Sequence, residues 1–297
     1  MFTNVPEKLE RFVRAIPSRF PTEVGTDAKY LYAAMYAAVE YINLKPTLSV
    51  NQEFLGYDPG PTSTPKAKNM VMMLGSSLFM LRSTKAFPEI CRRLQIDIRS
   101  AFYEMLAARS FFEAGFDIDM RREIGTKGED FDFFGIRDGE RINGEATALA
   151  AKQFSTNTML NALNRKRRQL PKTHPNIVYC LVPQAWGGRP TKAELDHVVA
   201  EFFRGTGRVN AIVFQFEMSA AWPSGAGSLA FGVLRYVNNK ARWPIRDLAV
   251  FDVPGTEFTP RMRAALAGTG PIAPLKSLRD RNEFFQWVDA LVPTSST

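Results

Sequence analysis

The spacing of apolar residues changes near residue 96. Before that point it follows the helical period, and we expect helices at residues 6–16, 26–44, 66–82 and 88–95, with a long loop at 45–65. After residue 96, helix and strand patterns alternate as far as residue 186. This alternation predicts an α/β fold with a mixed central sheet flanked by helices.

Further strand patterns follow at residues 209–216, 229–236 and 248–253, and we expect them to extend the same sheet. Helical patterns at 260–267 and 275–291 close the chain. We therefore divide the chain into a helical N-terminal region (1–95), an α/β core (96–255) and C-terminal helices (256–297).

The helix predicted at residues 99–114 carries a glutamate on an unusual face. Apolar residues recur at helical spacing, and Gly115 is a suitable C-terminal stop. Glu104 shares its face with Ala101, Ala108 and Phe111, which are mostly small and allow close approach to a sheet. Glu104 is therefore either a site residue or a solvated surface charge.

A hairpin is predicted around Asp138-Gly139, which lies between two alternating runs. Residues 116–124 alternate in the same way and predict the strand before it. With a two-residue turn, Asp132 faces Glu145 and Asp130 faces Thr147. One face then carries Asp130, Asp132, Phe134, Asn143, Glu145 and Thr147, and the other carries Phe131, Phe133, Ile142, Gly144 and Ala146.

Two acidic side chains directly opposite each other on a hairpin repel. Asp132 and Glu145 would be in this position, and such conflicts are typical of functional sites. A divalent cation relieves the repulsion, because Mg²⁺ takes hard oxygen ligands and is held by one or two carboxylates plus substrate phosphates. Alternatively, the face is solvated, or one of the two acids is protonated.

The helix predicted at residues 157–170 contains a basic run, and a buried strand is predicted at 176–182. The run consists of Arg165, Lys166, Arg167 and Arg168. Beside an acidic metal site, these residues would hold the phosphates of a nucleic acid while the metal neutralises the scissile one. A solvated basic face is the alternative interpretation.

Composition agrees with an intracellular protein that meets polyanions. The 297 residues are 45% hydrophobic, carry a net charge of +8, and have a pI near 9.5. The N-terminus lacks a signal-peptide pattern, and the apolar run at 70–81 is too short to span a membrane. With only Cys91 and Cys180, far apart, we expect no disulfide and a cytoplasmic location.

Other chemistries find little support in the sequence. The only histidines, His174 and His197, have no second ligand at useful spacing, which argues against zinc or triad chemistry. No glycine-rich phosphate-binding motif precedes a helix.

The order helix, three strands, helix, strand across residues 96–186 resembles the PD-(D/E)xK nuclease superfamily, whose fold is restriction-endonuclease-like. Glu104 lies in the first helix, Asp132 precedes an apolar pair, and Glu145 follows one hairpin later. The resemblance implies that Asp132 and Glu145 bind a metal ion and that Glu104 assists directly or through water. Asp130 is the alternative ligand.

The chain departs from the family pattern at Thr147, where the family has a lysine two residues after the glutamate. Three explanations are open: the lysine has moved, the metal alone activates water, or the site no longer cuts. Lys127, Lys152 and Lys166 are the candidates for a moved lysine. Lys152 lies just after the strand, and Lys166 lies on the apolar side of its helix.

These observations predict a Mg²⁺- or Mn²⁺-dependent endonuclease, for which DNA is favoured as the substrate and RNA is left open. Its catalytic residues are predicted to be Asp132, Glu145 and Glu104, with Lys152 or Lys166. The alternative is a degenerate nuclease-like module that binds nucleic acid or a protein partner within a larger complex. Residues 1–95 are open to interpretation as an interaction module, and a homodimer is also open.

Overall fold

The computed structural model describes residues 2, 4–21, 28–44, 65–122, 125–126, 128–149, 153–183, 186, 190–221, 227–246 and 283–292. The predicted loop before residue 65, the strand at 248–253 and the helix at 260–267 lie outside these residues, as do Lys127 and Lys152.

The described residues form helices in both halves of the chain and one group of strands. The helices are α1 (Val5–Arg14), α2 (Ile16–Arg19), α3 (Ala28–Ile42), α4 (Pro65–Leu81), α5 (Phe87–Ile96), α6 (Ile98–Glu113), α7 (Thr156–Gln169), α8 (Lys192–Arg204) and α9 (Glu283–Leu291). The strands are β1 (Asp117–Met120), β2 (Phe133–Arg137), β3 (Glu140–Ala148), β4 (Asn176–Val182), β5 (Ala211–Ala221) and β6 (Gly227–Val237).

The six strands form one mixed sheet whose spatial order, β1 to β6, is also the chain order. Strands β1, β2 and β3 are antiparallel neighbours, β3, β4 and β5 are parallel, and β6 returns antiparallel to β5. The α/β class is therefore confirmed. The elements α6, β1, β2, β3, α7 and β4 also follow the predicted order of helix, three strands, helix and strand.

The predicted hairpin is confirmed, including its register. Asp138 and Gly139 adopt φ values of 52° and 75°, the left-handed pair that a two-residue type I′ turn requires. Arg137 pairs with Glu140 and Phe133 with Gly144. This register brings the start of β2 beside the second half of β3.

Apolar clusters cover both faces of the sheet. Phe133, Ile142 and Ala146 pack on the α6 side, as predicted. Phe131 was expected there too, but it packs on the α7 side against Leu163 and its neighbours. The reason is that β2 begins only at Phe133, so strand alternation does not extend back to Phe131.

The N-terminal helices share the core of the sheet. Leu9 of α1, Ala34 of α3 and Leu74 of α4 belong to the same apolar cluster as Phe133 of β2. Helices α3 and α4 touch through their backbones, because a Cβ atom on Gly75 would lie 2.1 Å from the carbonyl oxygen of Ala34. Helices α1 to α5 are thus packed as part of the core.

Helix α8 was not predicted. It begins with a capping box in which Thr191 and Glu194 satisfy each other's backbone N–H groups. Leu195, Val198, Val199 and Phe202 form its buried face. The helix packs against α7 on the outer side of the sheet. The sequence contains both signals for this helix, the capping box and the helical spacing of apolar residues.

Candidate active site

Asp132 and Glu145 meet at the open end of the β2–β3 hairpin. Glu145 Oε2 accepts a hydrogen bond from the Asp132 backbone N–H at 3.0 Å. Asp132 Oδ2 accepts one from the Ala146 N–H at 2.7 Å. Glu145 is fully buried, and Asp132 is 8% exposed. The two acids are therefore neighbours, as predicted, but Asp132 lies one residue before the paired part of β2. Reciprocal bonds between side chain and backbone, rather than ladder pairing, hold them together.

Lys166 of α7 contacts this pair through Glu145. Its Nζ lies 2.5 Å from Glu145 Oε1, and its side chain is 15% exposed. Met159 and Leu163 on the same helical stripe are buried, so α7 turns Lys166 toward β3. Of the lysines considered as replacements for the motif position, Lys166 is the one that the described residues place at the carboxylates.

Glu104 reaches the site through Arg93, a residue that sequence reasoning missed. Glu104 Oε2 accepts a hydrogen bond from an Arg93 Nη1–H at 2.7 Å, and the same nitrogen lies 3.9 Å from Asp132 Oδ1. Arg93 Nε also binds Glu89 Oε1, at 3.2 Å. Nothing in the local spacing around Arg93 indicates these contacts, because they join α5 to α6 and to the start of β2.

The cluster has more acidic than basic groups. Burial, followed by the charge of Glu104, raises the pKa of Asp132 to about 7. Burial and the charge of Asp132 also raise the pKa of Glu145 well above its usual value. Three carboxyl groups, Asp132, Glu145 and Glu104, thus face two cations, Arg93 and Lys166.

Asp130 and Thr147 do not form the predicted cross-strand pair. The β2–β3 ladder runs from Phe133 to Arg137 and so does not extend to an Asp130–Thr147 pair. Asp130 is partly exposed, and its carbonyl oxygen accepts a hydrogen bond from Gln169 Nε2 at 3.2 Å. Thr147 is buried two residues beyond Glu145 on β3.

The basic run of α7 is distributed around the helix. Arg165 and Arg168 are exposed, Lys166 points to Glu145, and Arg167 donates a hydrogen bond to the Gly205 carbonyl oxygen at 2.7 Å. Consecutive helical residues are about 100° apart, so four in a row do not share one face. Arg165 and Arg168, three residues apart, form the exposed basic pair.

A cleft of about 540 Å³ opens beside the cluster. Its lining includes Arg93 and Glu104 of the cluster, together with Arg92, Ser100 and Arg122. Space therefore exists next to the buried charges, on the side where Arg93 and Glu104 meet.

The donor set fits a hydrated Mg²⁺ or Mn²⁺ ion. In the described part of the chain, no group of three or more His, Cys, Asp or Glu side chains is arranged to hold a metal. Mg²⁺ nevertheless binds through one or two carboxylates and keeps several waters. Asp132 and Glu145 supply such oxygens, and burial is the main cause of their raised pKa values.

Comparison of the chain with protein-family models, curated proteins and solved structures finds no match. Among the described residues, no helix has the length and apolar character needed to cross a bilayer. Any functional conclusion must therefore come from the site itself.

Proposed function

We propose that this chain is a Mg²⁺- or Mn²⁺-dependent nuclease that hydrolyses phosphodiester bonds of DNA. The observation that carries the proposal is the convergence of Asp132, Glu145 and Lys166, with Lys166 Nζ 2.5 Å from Glu145. Two adjacent carboxylates and one lysine are the functional groups that metal-assisted phosphodiester hydrolysis needs.

The fold supports the same proposal. The succession α6, β1, β2, β3, α7 and β4 agrees with a restriction-endonuclease-like core. Within it, the acids occupy the positions that the resemblance to PD-(D/E)xK nucleases implies. On this proposal, Lys166 of α7 takes the role of the motif lysine in place of Thr147 of β3.

The charge state of Lys166 defines its role. Burial lowers the pKa of Lys166, but the carboxylates of Glu145 and Asp132 outweigh burial, so that its pKa is raised above the usual value. Lys166 therefore stays protonated at neutral pH and does not act as a general base. Its ammonium group would orient the attacking water and stabilise the charge that develops on the phosphate.

Asp132 and Glu145 would hold the cation, with Glu104 assisting. A bound cation in this position neutralises the scissile phosphate and lowers the pKa of a coordinated water. The exposed pair Arg165 and Arg168 would hold neighbouring phosphates, which the net charge of +8 also favours.

The proposal is tested by cleavage assays on linear and supercoiled DNA with Mg²⁺, with Mn²⁺ and with a chelator. We expect Asp132→Asn, Glu145→Gln and Lys166→Met each to lower the metal-dependent rate at least about 100-fold. Arg167→Met is the matched control, because Arg167 is on the same helix but binds the Gly205 carbonyl. Metal-dependent cleavage by a folded Asp132→Asn, Glu145→Gln double variant would refute the assignment.

A second candidate function is binding of nucleic acid, or of a protein partner, without cleavage. Two observations favour it. Three carboxylate oxygens, Glu145 Oε1, Glu145 Oε2 and Asp132 Oδ2, already accept hydrogen bonds from protein groups. In addition, Thr147 stands where the family has its lysine. Calorimetry with Mg²⁺ and Mn²⁺ separates the two functions. A degenerate site shows no metal binding that depends on Glu145.

A further inference from the structure

We infer that Arg93 is a built-in counter-cation: its guanidinium occupies the position between Glu104 and Asp132, and it must release these carboxylates when the metal binds. The inference rests on the proposed function, because it concerns how the same site accepts its cation. It assigns to α5, an element of the N-terminal region, control over the metal affinity of the core.

The contacts of Arg93 place it where a bridging cation would lie. One nitrogen, Nη1, is 2.7 Å from Glu104 Oε2 and 3.9 Å from Asp132 Oδ1. These are two of the three carboxyl groups that the proposed function gives to the metal. A single guanidinium nitrogen therefore spans two groups that would otherwise face a divalent ion.

The surroundings explain why a cation is needed there in the metal-free protein. The side chains of Arg93, Glu104 and Asp132 are only 13%, 17% and 10% exposed, so water screens their charges weakly. Without Arg93, Glu104 and Asp132 would repel across a poorly solvated gap. The charge of Arg93 also favours the ionised form of Asp132.

A second carboxylate and an open cleft lie within reach of Arg93 when it is displaced. Its Nε lies 3.2 Å from Glu89, one turn earlier on α5, and this contact does not involve the site. The side chain also lines the cleft of about 540 Å³, which offers room for the guanidinium to turn outward. A change of side-chain rotamer that breaks the contact with Glu104 would thus leave Arg93 beside a second carboxylate.

An anchoring role predicts a different result from a counter-cation role. Arg93 Nη2 also donates a hydrogen bond to the Arg121 carbonyl, which ties α5 to the end of β1. If this tie were the whole function, loss of Arg93 would loosen the site and weaken metal binding. If Arg93 competes with the metal, its loss strengthens metal binding.

The experiment is a calorimetric Mn²⁺ titration of the full chain at pH 7.5, repeated by electron paramagnetic resonance of free Mn²⁺. We expect Arg93→Met to lower the Mn²⁺ Kd at least about tenfold, because a unit charge about 4 Å from a ligand is removed. Arg93→Lys should lie between Arg93→Met and wild type. Arg14→Met is the matched control, since Arg14 is on α1 and pairs with Glu10 on the same helix, and the Kd of this variant should not change.

An unchanged or higher Kd in folded Arg93→Met, with Mn²⁺ binding by the wild type lost in Glu145→Gln, would overturn the inference and leave the proposed function standing. Absence of Mn²⁺ binding in both the wild type and Arg93→Met would instead remove the metal-dependent function, and the inference with it.

A second measurement serves if Arg93→Met does not fold. In wild-type protein labelled with ¹⁵N-arginine, addition of Mg²⁺ should shift the Arg93 side-chain resonance and speed exchange of its guanidinium protons, while Arg14, which pairs with Glu10 on α1, stays unchanged. An Arg93 resonance that does not respond to saturating Mg²⁺ would contradict displacement.

Discussion

Two buried acidic residues at the open end of the β2–β3 hairpin lower the stability of the metal-free protein. Asp132 and Glu145 are buried side by side, and their pKa values are raised because burial penalises the charged forms. A group whose folded-state pKa exceeds its unfolded value contributes stability only while it is protonated. For Asp132 that contribution is lost as the pH rises through about 7.

Asp132→Asn should therefore stabilise the metal-free protein at pH 8, by about 2 kcal/mol, and much less at pH 5, where the wild-type carboxyl is protonated. Asparagine keeps an oxygen that can accept the Ala146 N–H bond. Urea denaturation with a chelator, at both pH values, measures the difference.

Asp138→Asn provides the control for this comparison. Asp138 is in the turn with 91% of its side chain exposed, and asparagine also suits the turn, so we expect no pH-dependent gain. Equal stabilisation by Asp132→Asn at pH 5 and pH 8 would show that burial of the ionised carboxyl is not the cause.

The sequence predicts this pair because the information is local. Asp132 and Glu145 are 13 residues apart, and the Asp-Gly turn between them sets the register. Arg93 was unpredictable for the opposite reason. Its partners Glu104 and Asp132 lie on other elements, and only the packing of α5 against α6 brings them within reach.

At the scale of elements, α7 has two functions on two faces. One side packs Met159 and Leu163 on the sheet and delivers Lys166 to Glu145, whereas Arg165 and Arg168 face outward. The run of four basic residues predicted a basic helix, but it overstated how many of the four side chains are exposed. The angle between successive helical residues leaves only two of them for a partner.

An Arg165→Ala, Arg168→Ala double variant should weaken DNA binding and reduce the slope of log K against log salt by about 2, since two phosphate contacts are lost. Fluorescence anisotropy at several salt concentrations gives this slope. The matched control is Arg11→Ala, Arg14→Ala on α1, which has the same spacing and exposure on a helix that packs on the opposite side of the sheet. Equal slopes for the two double variants would exclude a special role for α7.

Helix α8 illustrates a different limit of sequence reasoning. Its capping box and apolar spacing were present, but the strand patterns on either side favoured a continuous sheet region. Elsewhere the period was unambiguous, and predicted helices such as 66–82 and 99–114 agree with α4 and α6 to within one residue at each end.

At the scale of the whole molecule, the N-terminal helices and the sheet have one core. Leu9, Ala34 and Leu74 pack in the cluster that also contains Phe102 of α6 and Phe133 of β2. The division at residue 95 follows a real change of pattern. It does not mark an independent unit. The spacing of apolar residues indicates only local structure, whereas the shared cluster depends on contacts between residues that are distant in sequence.

A fragment of residues 96–297 should therefore fail to fold on its own, since removing α1 to α5 exposes the buried face of α6 to water. We expect it to be insoluble or to lack a cooperative thermal transition in circular dichroism. Co-expression of residues 1–95 as a separate chain should restore folding. A soluble 96–297 fragment with a sharp melting transition would contradict the shared core.

The agreement between spatial and chain order in the sheet has a consequence for biogenesis. Each strand after β1 pairs with the strand that precedes it in the chain, so that partner is already synthesised when the strand leaves the ribosome. The acidic hairpin emerges before Lys166, which follows Glu145 by 21 residues. Of the two cations at the site, Arg93 is thus synthesised before the carboxylates and Lys166 after them.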